Sequence, residues 1–236
     1  MLYSGGIYVV SIPVLMASPQ GQKSQIHEIA TEMIEELQRV GFRTKVIMTP
    51  AMNFAACGGC LVCETKDDCI VKDDVQVFQE SLLLSPGFVL ATPVFLMGPP
   101  GRLKCLLDRL WPWTLRPRLF GKYAALIVTA GSFGALEVSE YLAAVLESLG
   151  YQVISPITLL LKTRDAAAKR KKSLLDSRLL GRRLVESLEK KKRIGLSSKG
   201  KQLVSNIWGM IRDNKEEFAL SYAYWQENEI AKKFGI

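Results

Sequence analysis

One pattern constrains this chain more than any other: five short apolar runs alternate with stretches of helical spacing. Residues 7–18, "IYVVSIPVLMAS", form a continuous apolar run ending in small residues, as a strand buried on both faces requires. Residues 24–41 follow, with Ile26, Ile29, Met33, Leu37 and Val40 at helical spacing and Gly41 to end them. Residues 42–49, 87–95, 122–131 and 151–161 read as four further strands. "DDVQVFQESLLL", "GRLKCLLDRL" and "ALEVSEYLAAVLESLG" supply helices between them, and Asp73 or Asp74 can cap the first. Parallel neighbours need a crossover helix, so this order predicts an α/β, doubly wound, five-stranded parallel sheet. Ligands in such sheets lie beyond the carboxyl ends of the strands, where strand order reverses. Three loops qualify, at residues 17–24, 92–101 and 129–134, and a cysteine-rich loop at 50–74 follows the second strand on the same edge.

That loop holds four of the five cysteines, spaced C-x2-C-x2-C-x5-C: Cys57, Cys60, Cys63 and Cys69. Three thiols two residues apart suit one face of a cubane cluster, with the fourth closing from the side. Gly58 and Gly59 let the chain fold tightly beside them. Structural zinc usually takes two separated pairs, a poorer match. A redox disulfide needs only two thiols. Cluster, zinc and thiol redox all stay open, and Cys105, on a helix, reads as a packing residue.

The loop 17–24 offers Ser18, Lys23, Ser24 and backbone amides at a helix start, which favour an anion. It is neither GxxxxGK[ST] nor GxGxxG, so a monophosphate suits it better than a nucleoside triphosphate. An ordinary serine-capped turn explains it equally. Thr92, Pro93, Val94 and Phe95 leave the third strand on a proline-stiffened loop that can border a flat ring, or simply pack. Gly131 and Gly134 permit close approach of a ligand to the backbone, with Ser132 as the alternative helix cap.

The start "MLYSGGIYVV" lacks a basic region and a cleavage site, which predicts a cytoplasmic protein with clustered thiols in reducing surroundings. Pro86, Pro93, Pro99 and Pro100 break the longest uncharged run, so no membrane span is expected. The formal charge of +8 is uneven: residues 162–201 hold 15 Lys/Arg against 4 Asp/Glu. That basic segment is either a solvated helix face or a surface that steers an acidic partner. A charged segment alone gives no base readout, so nucleic acid is not expected. Residues 1–190 read as the main domain and 191–236 as a helical extension. Its stripe of Leu203, Ile207, Met210 and Ile211 reads as docking on the body or on a sister subunit in preference to a membrane surface. His27, the single histidine, reads as a surface residue rather than a catalyst.

Taken together, "ASPQGQKS", "CGGCLVCETKDDCIVKDDV" and "ATPVFLMGPPGRLKCLLDRL" resemble, in order and spacing, the NADPH-dependent FMN reductase superfamily. The four cysteines are similar to those of its iron–sulfur flavoproteins. The resemblance spans roughly residues 7–160. It implies a flavodoxin-like fold, FMN, a [4Fe-4S] cluster on Cys57, Cys60, Cys63 and Cys69, and a homo-oligomer, dimer or tetramer. It implies that Ser18, Gln20 and Ser24, helped by Lys23, hold the FMN phosphate. Pro93, Val94, Phe95 and Met97 would border the isoalloxazine, with Gly131 and Ser132 on its other side. Gln20 replaces the family's usual arginine, and Phe95 its usual tyrosine. The expected activity is electron transfer between a one-electron donor such as ferredoxin and an acceptor, with NAD(P)H as a further reductant. A cluster-free NAD(P)H-dependent quinone reductase and a redox-sensing or assembly subunit are the alternatives.

Overall fold

The computed structural model describes residues 11–161 and 166–236. The start of the first expected strand, residues 7–10, and residues 162–165 of the basic segment lie outside the described residues. In chain order the elements are β1 (Ser11–Met16), α1 (Gln25–Arg39), β2 (Arg43–Met48), α2 (Val62–Lys66), α3 (Asp74–Leu84), β3 (Gly87–Pro93), α4 (Gly101–Asp108), α5 (Trp111–Leu115) and β4 (Tyr123–Ala130). There follow α6 (Ala135–Ser148), β5 (Gln152–Val153), β6 (Ile157–Leu160), α7 (Ala166–Lys190), α8 (Ser198–Asp213), α9 (Ala219–Glu227) and α10 (Ile230–Phe234).

The strands pair in parallel in the order β2-β1-β3-β4-β5, and β6 also pairs with β4. The expected single fifth strand is therefore two pieces in one position. The break spans Ile154, Ser155 and Pro156, and proline cannot donate to a ladder. The order reverses between β1 and β3, which puts the switch point beside the 17–24 loop. Because side chains alternate along a strand, β1 feeds both faces. Ile12, Val14 and Met16 join one core with α1 and α7, while Leu15 and Ala17 join the other with α3, α4 and α6. β2 is the exposed edge, carrying Arg43 and Lys45.

α7 accounts for much of the basic segment. Arg170, Arg178 and Arg182 pair with Glu28, Glu32 and Glu36, which stand one turn apart on α1. The two helices touch closely at Gly181, where an added Cβ would lie 3.2 Å from the Glu36 side chain. The Ser177 hydroxyl donates to the Ile29 carbonyl at 2.6 Å inside the contact.

The C-terminal stripe docks on the body. Val204, Ile207, Ile211, Phe218, Trp225 and Ile230 form a third core with Leu115 of α5. Trp225 stacks on Trp208 with centroids 4.9 Å apart and donates its indole N–H to the Leu115 carbonyl at 2.7 Å. α8 is pinned to α6 by the buried Glu147, which accepts from the Ser197 amide at 3.0 Å and the Ser197 hydroxyl at 2.7 Å. Burial pushes the Glu147 carboxyl above its ordinary pKa, against the pull of those bonds. Gly200 makes the approach possible, since a Cβ there would stand 1.6 Å from Glu147 Oε2. Gly200→Ala would therefore push the Glu147 carboxylate off its Ser197 bonds, and denaturant unfolding should show a loss of about 1–3 kcal/mol despite alanine's better helix propensity.

Candidate functional site

Two groups of expected site residues sit at the carboxyl edge of the sheet. Ser18 and Ser24 are buried at the switch point, and Gln20 and Lys23 are exposed beside them. Ala17 donates to the Ala91 carbonyl at 2.8 Å, which fixes the loop to β3. Ser24 is the N-cap residue of α1 but makes no side-chain cap bond; its hydroxyl donates to the Gly21 carbonyl at 2.7 Å. The first amides of α1 are thus left without a side-chain cap, an arrangement suited to an anion.

β3 ends at Pro93, two residues before the expected boundary. Val94 still donates to the Thr129 carbonyl of β4 at 2.7 Å, but Phe95 and Gly98 turn away and bond each other at 2.8 and 2.9 Å. Leu96 and Met97 between them both have positive φ, 42° and 61°, the geometry of a two-residue hairpin turn. Phe95, Leu96 and Met97 are exposed, as are Gly131, Ser132 and Phe133 in the neighbouring loop. Gly134 joins the two loops: at φ 83° a Cβ would lie 3.0 Å from Val94 Cγ1 and 3.1 Å from Met97 Sδ. Gly134, rather than Ser132, is the N-cap residue of α6.

The cysteine loop leaves the carboxyl end of β2 on this edge. Cys57 and Cys60 are exposed, Cys63 and Cys69 half-buried, and all four line one cavity of about 200 Å3 with Ile70, Val71 and Trp111. Gly59, Leu61 and Asp67 are left-handed, so the chain reverses tightly around α2. Among the described residues no three His, Cys, Asp or Glu side chains gather closely enough for a single metal ion. Burial pushes the Cys63 thiol up, Arg116 pulls it down, and Cys69 and Cys57 add to the rise. Cys105 is half-buried on α4, away from this cavity's lining.

Arginines that the cysteine pattern did not point to hold the loop. Arg102 of α4 donates to the Thr49 carbonyl at 2.7 Å and to that of Met52, and lies 4.5 Å over the Phe54 ring. Arg109, buried at the end of α4, donates to the carbonyls of Ala55 and Val71, both at 2.9 Å, and to Asp73 at 2.7 Å. Its Nε is buried without a partner among the described residues, and the side chain lines the thiol cavity. Arg116 gathers Glu64, Asp67 and the Cys63 carbonyl. Large cations in an apolar neighbourhood are the signal that could have found them. Asp73 is the cap of α3, in a capping box with Gln76, as its position in the sequence suggests.

Fold and loops define a flavodoxin-like protein whose first helix starts, without a side-chain cap, at the switch point of its sheet. A model of the family described as NADPH-dependent FMN reductase matches residues 10–165, and the chain belongs to that family. It is 26% identical over 217 residues to an iron-sulfur flavoprotein of Archaeoglobus fulgidus, covering 90% of this chain and 96% of that protein. A Methanosarcina thermophila iron-sulfur flavoprotein is 29% identical over 101 residues, 42% of this chain and 52% of its own. A solved NAD(P)H:quinone oxidoreductase from Methanothermobacter marburgensis shares the fold, with a TM-score of 0.59 at 18% identity over 75% of this chain and 97% of its own. The chain is accordingly an FMN-dependent oxidoreductase. No helix of the described residues is long and apolar enough to cross a membrane.

Burial raises the Asp73 carboxyl, but Arg109 and the amides of Ala55 and Val75 outweigh it and hold it below the ordinary carboxylate range. A depressed carboxylate contributes stability fully above its unfolded pKa of about 3.9 and loses it as pH falls through the lower folded value. Asp73→Asn should cost about 1–3 kcal/mol at pH 7 and flatten the stability loss below about pH 4, read by urea unfolding across that range.

Proposed function

We propose that this chain is an electron-transfer iron–sulfur flavoprotein, with FMN held by the loops at residues 17–24, 93–98 and 129–134 and a [4Fe-4S] cluster held by Cys57, Cys60, Cys63 and Cys69. The observation that carries the cluster is the single cavity lined by all four thiols. In a cubane each thiolate binds its own iron, so the ligands ring a cluster-sized space instead of converging on one ion. That is the difference between this cavity and a zinc site. The unpartnered Nε of Arg109 is a donor that sulfur at this cavity wall would satisfy.

On the flavin side, the uncapped first turn of α1, with Ser18, Gln20, Lys23 and Ser24, would receive the phosphate. Pro93, Val94, Phe95 and Met97, braced by Gly134, would border the ring, with Gly131 and Ser132 beside it. Bound FMN supplies two-electron chemistry and a cluster one-electron chemistry. The chain's own part is to hold them and to set access. We take the reductant to be ferredoxin or NAD(P)H, the compartment to be cytoplasmic and the unit to be residues 1–190 with a helical extension at 191–236. Part of the basic charge of α7 is spent on α1, so an acidic donor would meet the cations outside those pairs.

A homo-oligomer is supported by the apolar hairpin: Leu96 is 95% exposed, flanked by the exposed Phe95, Met97, Phe133 and Leu136. Light scattering should find an assembly for the native chain and a smaller species for Leu96→Lys; a native monomer would refute it. For the cluster, anaerobic purification should give near four iron and four sulfide per chain and a paramagnetic signal on reduction. Each single cysteine-to-serine change should sharply lower the iron. Full flavin with no iron or sulfide would sink the cluster and leave a cluster-free reductase.

A further inference from the structure

The C-terminal helices meet the cysteine segment at one buried point. Glu64 directly follows Cys63 in α2, and its carboxylate is buried. Ser221 of α9, fully buried, donates its amide to Glu64 Oε1 at 3.1 Å and its hydroxyl to Oε2 at 2.9 Å. Arg116, equally buried, donates to Glu64 Oε2 at 2.5 Å, to the Ser221 hydroxyl at 2.5 Å, to Asp67 at 2.8 Å and to the Cys63 carbonyl at 2.6 Å. Segments far apart in the chain thus share one hydrogen-bonded knot. α2 spans only five residues between left-handed Leu61 and Asp67, too few to hold a helix unaided. What keeps its shape comes from outside it, through this knot.

We propose that the C-terminal extension is a brace for the cysteine segment, and that Ser221 is its positioning residue. By fixing Glu64 and, through Arg116, the Cys63 carbonyl, α9 sets where the Cys63 sulfur stands relative to Cys57, Cys60 and Cys69. Ser221 touches no sulfur and acts through its neighbours. A charged pair buried this deeply is not the cheapest way to stabilise a contact, since apolar residues of similar volume often do as well. Its directional bonds fix one geometry, which is what a multi-ligand site needs. The bracing itself stands on the hydrogen bonds alone; its bearing on metal rests on the cluster reading above.

The test uses the full chain carrying Ser221→Ala, with Glu64→Gln as a second variant should the first fail to fold. Hydrogen exchange should speed about tenfold or more at residues 61–67 while amides of β4 keep their native rates, because both charge-assisted bonds of the Ser221 hydroxyl are lost locally. FMN content should stay at the native level. Iron and sulfide after anaerobic reconstitution should fall, and the reduced cluster's paramagnetic signal should broaden or shift. Unchanged exchange at residues 61–67 in both variants overturns the brace. So does an equal acceleration in β4, which would mean a general loss of stability. A native chain that takes up no iron, with faster local exchange in Ser221→Ala, supports the brace and refutes the cluster.

Discussion

The cysteine loop depends on two buried guanidinium groups. Arg109 and Arg116 are 2% and 1% exposed, and between them they reach carbonyls or carboxylates at Ala55, Cys63, Glu64, Asp67, Val71 and Asp73. A loop of this kind has little core of its own. Cys57, Gly58, Gly59 and Cys60 are all exposed, and α2 buries one side chain, Glu64. Without burial to stabilise it, such a loop needs directional bonds to pay its ordering entropy. Removing Arg116 would leave Glu64 charged and buried, a loss of about 3–5 kcal/mol in comparable buried pairs. Arginine suits the task because its planar fork serves several acceptors at once and it stays charged when buried.

The same helix serves both halves of the site. The hairpin at residues 95–98 runs through Pro99 and Pro100 straight into α4. Arg102 of α4 holds the start of the cysteine loop at Thr49 and Met52, and Arg109 at its end holds residues 55, 71 and 73. The 95–98 hairpin and the thiol loop are therefore attached to one element rather than to two that could drift. For the flavin and cluster proposed above, a fixed separation would be the protein's main contribution. The third core extends this logic, since α9 adds Ser221 to the knot while Trp225 and Tyr224 fasten it to carbonyls of Leu115 and Pro117.

Much of the fold was legible because it rests on periodicity. Val14, Val89 and Ile127 repeat the same apolar chemistry on neighbouring strands, and the α1 stripe of Ile26, Ile29, Met33 and Leu37 is buried as its spacing requires. The breaks were less legible. Proline stops β3 at residue 93 and interrupts the last strand at 156, both local events that an apolar run hides. The four thiols announced themselves by spacing, and they do share one cavity. The residues that hold them did not. Arg116 and Ser221 are separated by 105 positions, and nothing periodic links them.

Charge shows the same limit from the other side. A segment with 15 Lys/Arg against 4 Asp/Glu looks like a docking surface when read as a string. Folded, three of its arginines form a ladder with Glu28, Glu32 and Glu36, Lys190 and Lys192 share Glu186, and Lys199 meets Glu140. The acids of α1 recur every four residues, so they were visible, but their partners lie some 140 residues away. Surface pairs of this kind contribute little each, about 0–1 kcal/mol. Their larger effect is to set which helix covers which face: α7 presents cations to the row of Glu28, Glu32 and Glu36 on α1, while Gly181 and Ser177 let the two backbones close. Net charge along a chain thus overstates what a partner can meet, because a long basic helix in an α/β fold first has to satisfy its neighbour.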